Sequence, residues 1–315
     1  MITSIRFNGV GISAFASLLT GGTSAFPRSA VGFVHMLERK LKEKNLSLGS
    51  NRRVAIGVEH YRLHQGQKNH TSPKMALSKP WKSQSESANS VLDYEWKCNA
   101  TICLVINSHD TSERGDAEKL REALSSIVPS LRFSNGSIFV KPEFVSVLHG
   151  NDSETLKKTI RAVKASRCSF ISCRSDLIYA GDEFGSFANA LALFDVDASS
   201  DASKEAAESL DSDGSDDGSS EKKQRKWARK QTGWIIPLER GYQAVSQPVI
   251  GRPAARRSTT PPYEVPSYVV TPVIGLGEYI SSKKLLDDLN CPAFWSSKSD
   301  RSQGFFMFKA SSFND

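Results

Sequence analysis

The sequence predicts an α+β protein, and three observations predict it. Over the first 140 or so residues apolar periodicity alternates between the strand and helix patterns in the order strand–helix–strand–strand–helix–strand. The last third carries short Val-, Ile- and aromatic-rich runs set between glycines and prolines, which read as strands and turns. Between them lies an acidic Ser/Asp/Gly stretch that cannot bury enough apolar surface to order itself.

The first strand, Ile2–Ile12, alternates loosely through Ile2, Phe7, Val10 and Ile12. A small-residue loop, Ser13–Ala25, contains Gly21-Gly22-Thr23-Ser24 and feeds a helix that starts at Pro27, because proline suits the first helical position. Ala30, Val34, Leu37 and Leu41 form the buried stripe of that helix, and Arg28, Arg39, Lys40 and Lys42 lie off it. Arg53–Tyr61 is the second strand. Residues 62–93 are polar and too long for an ordinary connection, which makes them either a disordered loop or a functional arm bearing Lys79, Trp81 and Lys82. Tyr94–Asn107 is a strong strand with Trp96, Cys98, Ala100, Ile102, Leu104 and Ile106 on one face. Glu113–Val128 is a helix whose inward residues are Leu120, Ala123, Leu124 and Ile127, and Pro129 stops it. Phe133–Val140 returns as a strand through Asn135-Gly136. This order is ferredoxin-like, the order shared by many RNA-recognition domains.

Further along, Ser153–Ala165 is a helix with Leu156, Ile160 and Val163 inward and Lys157, Lys158, Arg161 and Lys164 outward. Cys168–Cys173 is a short strand, and Asp176–Phe194 is helical with weak points at Gly181 and Gly185. Tyr268–Ile274 and Phe305–Phe308 are strands, and Lys283–Leu289 is a short helix. The expected organisation is a ferredoxin-like body over 1–194 with the arm 62–93 inserted. A flexible linker over 195–226 follows, then a β-rich part over 227–315 that completes a binding surface.

Charge is segregated. Asp195–Glu221 holds ten acidic residues and one lysine, a net of −9; set against the chain's +7, this leaves +16 on the rest. A body that basic favours polyanionic partners and salt-dependent binding. The richest constellation runs from Gly233 to Ile280, where two glycine-marked strands flank a proline-rich loop with Arg252, Arg256 and Arg257. Trp234 and Tyr242 on the first strand, beside those guanidinium groups, suit stacking and ion pairing with single-stranded nucleic acid. Arg28, at the start of a helix fed by a glycine-containing loop, is placed to meet a phosphate.

Catalytic and metal signals are weak by comparison. The five cysteines (Cys98, Cys103, Cys168, Cys173, Cys291) fall in strands or lack knuckle spacing, so buried thiols are expected, with no metal and no cofactor. None of the six histidines sits in a metal or nucleophile motif. Asn8, Gly9, Gly11 and Ser13 break the apolar run that a secretory signal needs, and no stretch has the length of a membrane span, so a cytoplasmic protein without membrane association is expected.

Several segments, in order, resemble one family. Pro27–Leu41 (PRSAVGFVHMLERKL), Arg132–Ile138 (RFSNGSI), Gly233–Pro248 (GWIIPLERGYQAVSQP) and Ile274–Ser281 (IGLGEYIS) are similar to the Cas-five-family subunits of type I-F CRISPR Csy surveillance complexes. Three places depart from the family pattern: Ala25-Phe26-Pro27-Arg28 is one residue shorter than the family's Gly-Phe-Pro entry to its helix, Arg257-Ser258 stands where the family has Arg-Asp, and no clear Phe-Val-Glu follows Pro262. The resemblance implies a non-catalytic RNA-binding body that caps the 5′ handle of a CRISPR RNA and helps position target DNA near its protospacer-adjacent motif. The large subunit, where one is present, and the backbone subunits of the complex are the implied partners. Two alternatives share the fold: a backbone-type subunit coating the spacer, and a metal-independent endoribonuclease using His60 or His64 as general base.

Overall fold

The computed structural model describes residues 1–15, 26–64, 75–78, 93–109, 116–177, 196–198, 227–229, 234–247, 268–300 and 304–315. These residues form an α+β structure dominated by one large antiparallel sheet. The chain divides into two units, Met1–Arg174 with Ile235–Asp315, and Ser175–Trp234. The sequence-based divisions at 194/195 and 226/227 both fall inside the second unit. Its described strands, β9 (Val196–Ala198) and β10 (Trp227–Arg229), pair with each other across the acidic stretch.

The first unit opens with β1 (Ile2–Phe15), α1 (Phe26–Lys42), β2 (Ser50–Leu63), β3 (Met75–Ser78) and β4 (Asp93–His109). Then come α2 (Asp116–Ile127), β5 (Arg132–Phe133), β6 (Gly136–Phe139) and β7 (Val145–Leu148). β4 lies between β1 and β2 and is antiparallel to both, while β6 and β7 pair with the other edge of β1. α1 buries Ala30, Val34, Leu37 and Leu41, the stripe its periodicity marks, and adds Phe26, Val31 and Phe33. The Phe7, Phe33 and Phe133 rings meet at centroid distances of 5.3 to 5.9 Å, joining β1, α1 and β5 into one core.

Two details differ from the expected elements. Residues Phe133–Val140 do not run as one strand. Ser134 and Asn135 adopt positive φ (46° and 66°), and the chain reverses between β5 and β6 as a two-residue hairpin. The polar arm begins later and ends earlier on the sheet than its composition suggests, because β2 runs to Leu63 and β3 pairs with the start of β4.

The second face of the sheet is covered by α3 (Ser153–Ala162), capped by Asp152 through the Thr155 N–H at 2.8 Å, and by α4 (Ser282–Asp287). Leu156, Ile160 and Leu285 from these helices pack with Ile2, Val105, Phe170, Phe294 and Phe313. The remaining strands are β8 (Ser169–Cys173), β11 (Trp234–Ala244), β12 (Val270–Ser281), β13 (Phe294–Asp300) and β14 (Phe305–Ser311).

The outer edge of β2 is shared between two neighbours. Val54 and Ala55 pair with β13, whereas Gly57 and Val58 pair with β8. The pairings β13–β14, β14–β11, β11–β12 and β12–β8 then bring the sheet back to β2, so six strands close a ring. Gly57 permits the junction: a Cβ there would lie 2.8 Å from Cys168 Cβ and 3.1 Å from the Phe170 ring. The fully buried Trp295 fills the angle between the diverging strands, its indole N–H donating to the Ile171 carbonyl at 3.0 Å. All five cysteines are buried and free, which agrees with their reading as thiols. Among the described residues no His/Cys/Asp/Glu cluster could hold a metal, and no helix is long and apolar enough to cross a membrane.

Candidate nucleic-acid interface

The sheet brings Arg28 and Tyr242 together across 214 positions of sequence. Arg28 lies in the first turn of α1, and Tyr242 lies near the end of β11. An Arg28 Nη1 hydrogen donates to the Tyr242 hydroxyl, and the guanidinium carbon stands 5.9 Å from the centre of the Tyr242 ring. The same nitrogen is 3.1 Å from Glu239 Oε1, and Glu239 is 1% exposed while Arg28 is 43% exposed. The Arg28 charge and the adjoining Tyr242 phenol are the groups that offset the burial of this carboxylate. Burial first, and the neighbouring Glu239 second, push the Tyr242 phenol up to about 12. The phenol is therefore neutral at physiological pH.

Local backbone geometry makes this contact. Gly241 has φ +146°, and a Cβ there would meet the Phe306 carbonyl oxygen at 2.2 Å. Only glycine lets β11 lie this close to β14, with Tyr242 placed opposite Phe306. Tyr268 meets the Phe306 ring at 5.8 Å, edge on, so three half-buried aromatics gather at this end of the sheet. Val245, Val269 and Val270 beside them are exposed.

The base of the arginine-bearing segment is at the same end. The Val245 N–H donates to the Val269 carbonyl at 2.9 Å, and the Val269 N–H donates to the Ser246 hydroxyl at 2.9 Å. β11 and β12 are thus held together where the chain departs after Gln247 and returns at Tyr268. Arg252, Arg256 and Arg257 themselves lie outside the described residues, as do Lys79, Trp81 and Lys82 of the arm. Trp234 opens β11, and its side chain is also outside what is described.

Sequence reasoning missed Glu239, Tyr268 and Phe306. Glu239 had one signal, an acid placed within an otherwise apolar and aromatic strand (WIIPLERGY). Tyr268 and Phe306 read only as strand residues, since their meeting depends on the ring of strands. Elsewhere, His60 sits at a bulge of β2 with Nε2 3.4 Å from Glu59 Oε1, and His64 Nε2 is 2.8 Å from Asn99 Oδ1. The basic residues Lys158, Arg161 and Lys164 of the α3 segment are exposed on the other face of the sheet from α1.

In chemical terms, a cation fixed by a buried carboxylate stands beside half-exposed aromatic rings. Groups of this kind can hold a phosphate and stack a base. The family model described as CRISPR-associated protein (Cas_Csy2) matches residues 10–308. The chain belongs to this family. Its members are proteins of the type I-F CRISPR Csy complex, which places this chain in that complex. A search of curated proteins returned no match. The matched span contains both Arg28 and the whole of β11.

Proposed function

We propose that this Cas_Csy2 protein is a non-catalytic subunit that holds the 5′ handle of the CRISPR RNA at the α1–β11 site and helps place target DNA. The observation that carries the reading is Arg28, fixed by Glu239 on Tyr242 at the base of the segment containing Arg252, Arg256 and Arg257. The basic body left after the acidic stretch is set aside supports a polyanionic ligand. A ferredoxin-like core also fits: the pairing order β2–β4–β1–β6, with α1 after β1 and α2 after β4, is the order such domains use. The partners of this reading are the CRISPR RNA, the backbone subunits and a large subunit, in a cytoplasmic ribonucleoprotein.

Affinity for handle RNA at several salt concentrations tests the proposal. Arg256→Ala with Arg257→Ala should weaken binding and reduce the salt slope by about one unit per lost phosphate contact. Equal affinity and equal slope would remove this segment from the interface. Specific cleavage of precursor RNA, lost on changing His60 or His64, would replace the binding role with an endoribonuclease.

A further inference from the structure

A cleft of about 420 Å³ opens between α1, β2 and β13, away from the Arg28–Tyr242 contact. Its floor is apolar, with Val31 and Val34 of α1, Val54 of β2 and Trp295 of β13, all buried. Its wall is polar. His35 Nε2 lies 3.4 Å from Ser297 Oγ across the mouth. Asn51 is held at φ +48°, and among the described residues its side-chain amide makes no hydrogen bond. Arg52 is fixed by donating to the Gly49 carbonyl and by Glu38 at 3.4 Å. Arg53 is occupied by the Ser312 and Phe313 carbonyls at 2.8 and 3.3 Å and serves the wall rather than a ligand.

The position of the cleft gives it a use. α1 spans the sheet from Tyr242 on β11, which Arg28 touches, to Ser297 on β13, which His35 touches, with β14 between those strands. Arg28 and His35 are seven residues apart on one helix, a rise of about 10 Å. A single strand gripped at Arg28 reaches the cleft within a few nucleotides. An apolar floor under a rim of amide, hydroxyl, imidazole and guanidinium groups, with the Asp315 carboxylate among them, matches a nucleobase, whose faces are apolar and whose edges both donate and accept hydrogen bonds. The volume sits at the low end for small-molecule pockets, room for one nucleotide. We propose that this α1–β2–β13 cleft takes up one unstacked nucleotide of the handle RNA, with Asn51 and Ser297 on its base edge; this rests on the RNA-binding reading above.

The test replaces each handle nucleotide in turn by an abasic residue and measures affinity for the full chain, for Ser297→Trp and for Asn51→Gly. One position should lose about tenfold in the unmodified protein, the scale of one stacked base. Ser297→Trp, which fills the mouth, should lose a similar factor with intact RNA and nothing more with RNA abasic at that position. Asn51→Gly, which removes the amide and accepts the positive φ, should show a smaller loss coupled to the same position, and it carries the test if the tryptophan variant fails to fold. Unchanged affinity for both variants, or losses that add independently at every position, would overturn the cleft while leaving the α1–β11 site standing. No binding of handle RNA by the unmodified protein would remove both.

Discussion

At the scale of single residues, Glu239 decides how Arg28 behaves. A carboxylate that is 1% exposed is costly to keep charged unless a cation stays beside it. Arg28 is thereby held in one place, and its remaining N–H groups are spared the entropy of being ordered on binding. Removing the guanidinium should have two separable effects. Arg28→Ala should lower stability by about 1–3 kcal/mol, because it leaves a buried acceptor uncompensated. Adding Glu239→Gln should restore most of that loss, since the charge that needed the cation is gone. RNA affinity should fall in the single variant and stay low in the double variant. Denaturant midpoints and RNA titrations on the same preparations separate the two effects. Recovery of RNA binding along with stability would make Arg28 purely structural.

At the scale of elements, legibility in the sequence follows the strength of the local pattern. α1 and α2 were readable because their buried residues recur at helical spacing, and Leu37, Leu41, Leu120 and Leu124 are all buried. β4 was readable because Cys98, Ala100, Ile102, Leu104 and Ile106 alternate, and each of them is buried. β13 was not readable. After Phe294 and Trp295 it continues Ser-Ser-Lys-Ser-Asp, residues of low strand preference, and pairing with β14 and β2 makes it a strand. The sharing of the β2 edge depends on two distant partners and has no local signal except Gly57. The candidate site divides the same way: Arg28 and Tyr242 were singled out by residue type, but their contact and the buried Glu239 are products of the sheet. The element that joins them is the close approach of β11 to β14 at Gly241. Gly241→Ala should cost about 1–3 kcal/mol through its strained φ and should displace Tyr242, because the new methyl meets the Phe306 carbonyl. A drop in melting temperature together with weaker RNA binding is expected. Unaltered stability would mean that β11 can withdraw from β14 at no cost.

Over the whole molecule, ionisable groups buried in neutral form set the pH range of the fold. Burial pushes the Cys98 thiol and the Tyr279 phenol each up to about 12. Cys291 is raised chiefly by burial. Cys103 is raised by its contact with Cys168 together with its burial. Each of these groups, like Tyr242, loses its proton more readily in the unfolded chain than in the folded one. Their contribution is therefore complete below the unfolded values, 9.0 for the thiols and 10.0 for the phenols. It is lost as pH rises from there toward about 12, because only the unfolded state gains by releasing protons in that window. The melting temperature should hold level from neutral pH to about 9, then fall progressively. Phenolate absorbance should show Tyr242 and Tyr279 ionising late, in step with unfolding. RNA affinity should likewise stay level between neutral pH and 9, since Tyr242 stays protonated there and the arginines stay charged. A melting temperature that stayed level to pH 11, or tyrosines that all ionised together near 10 in the folded protein, would show that these phenols and thiols meet solvent.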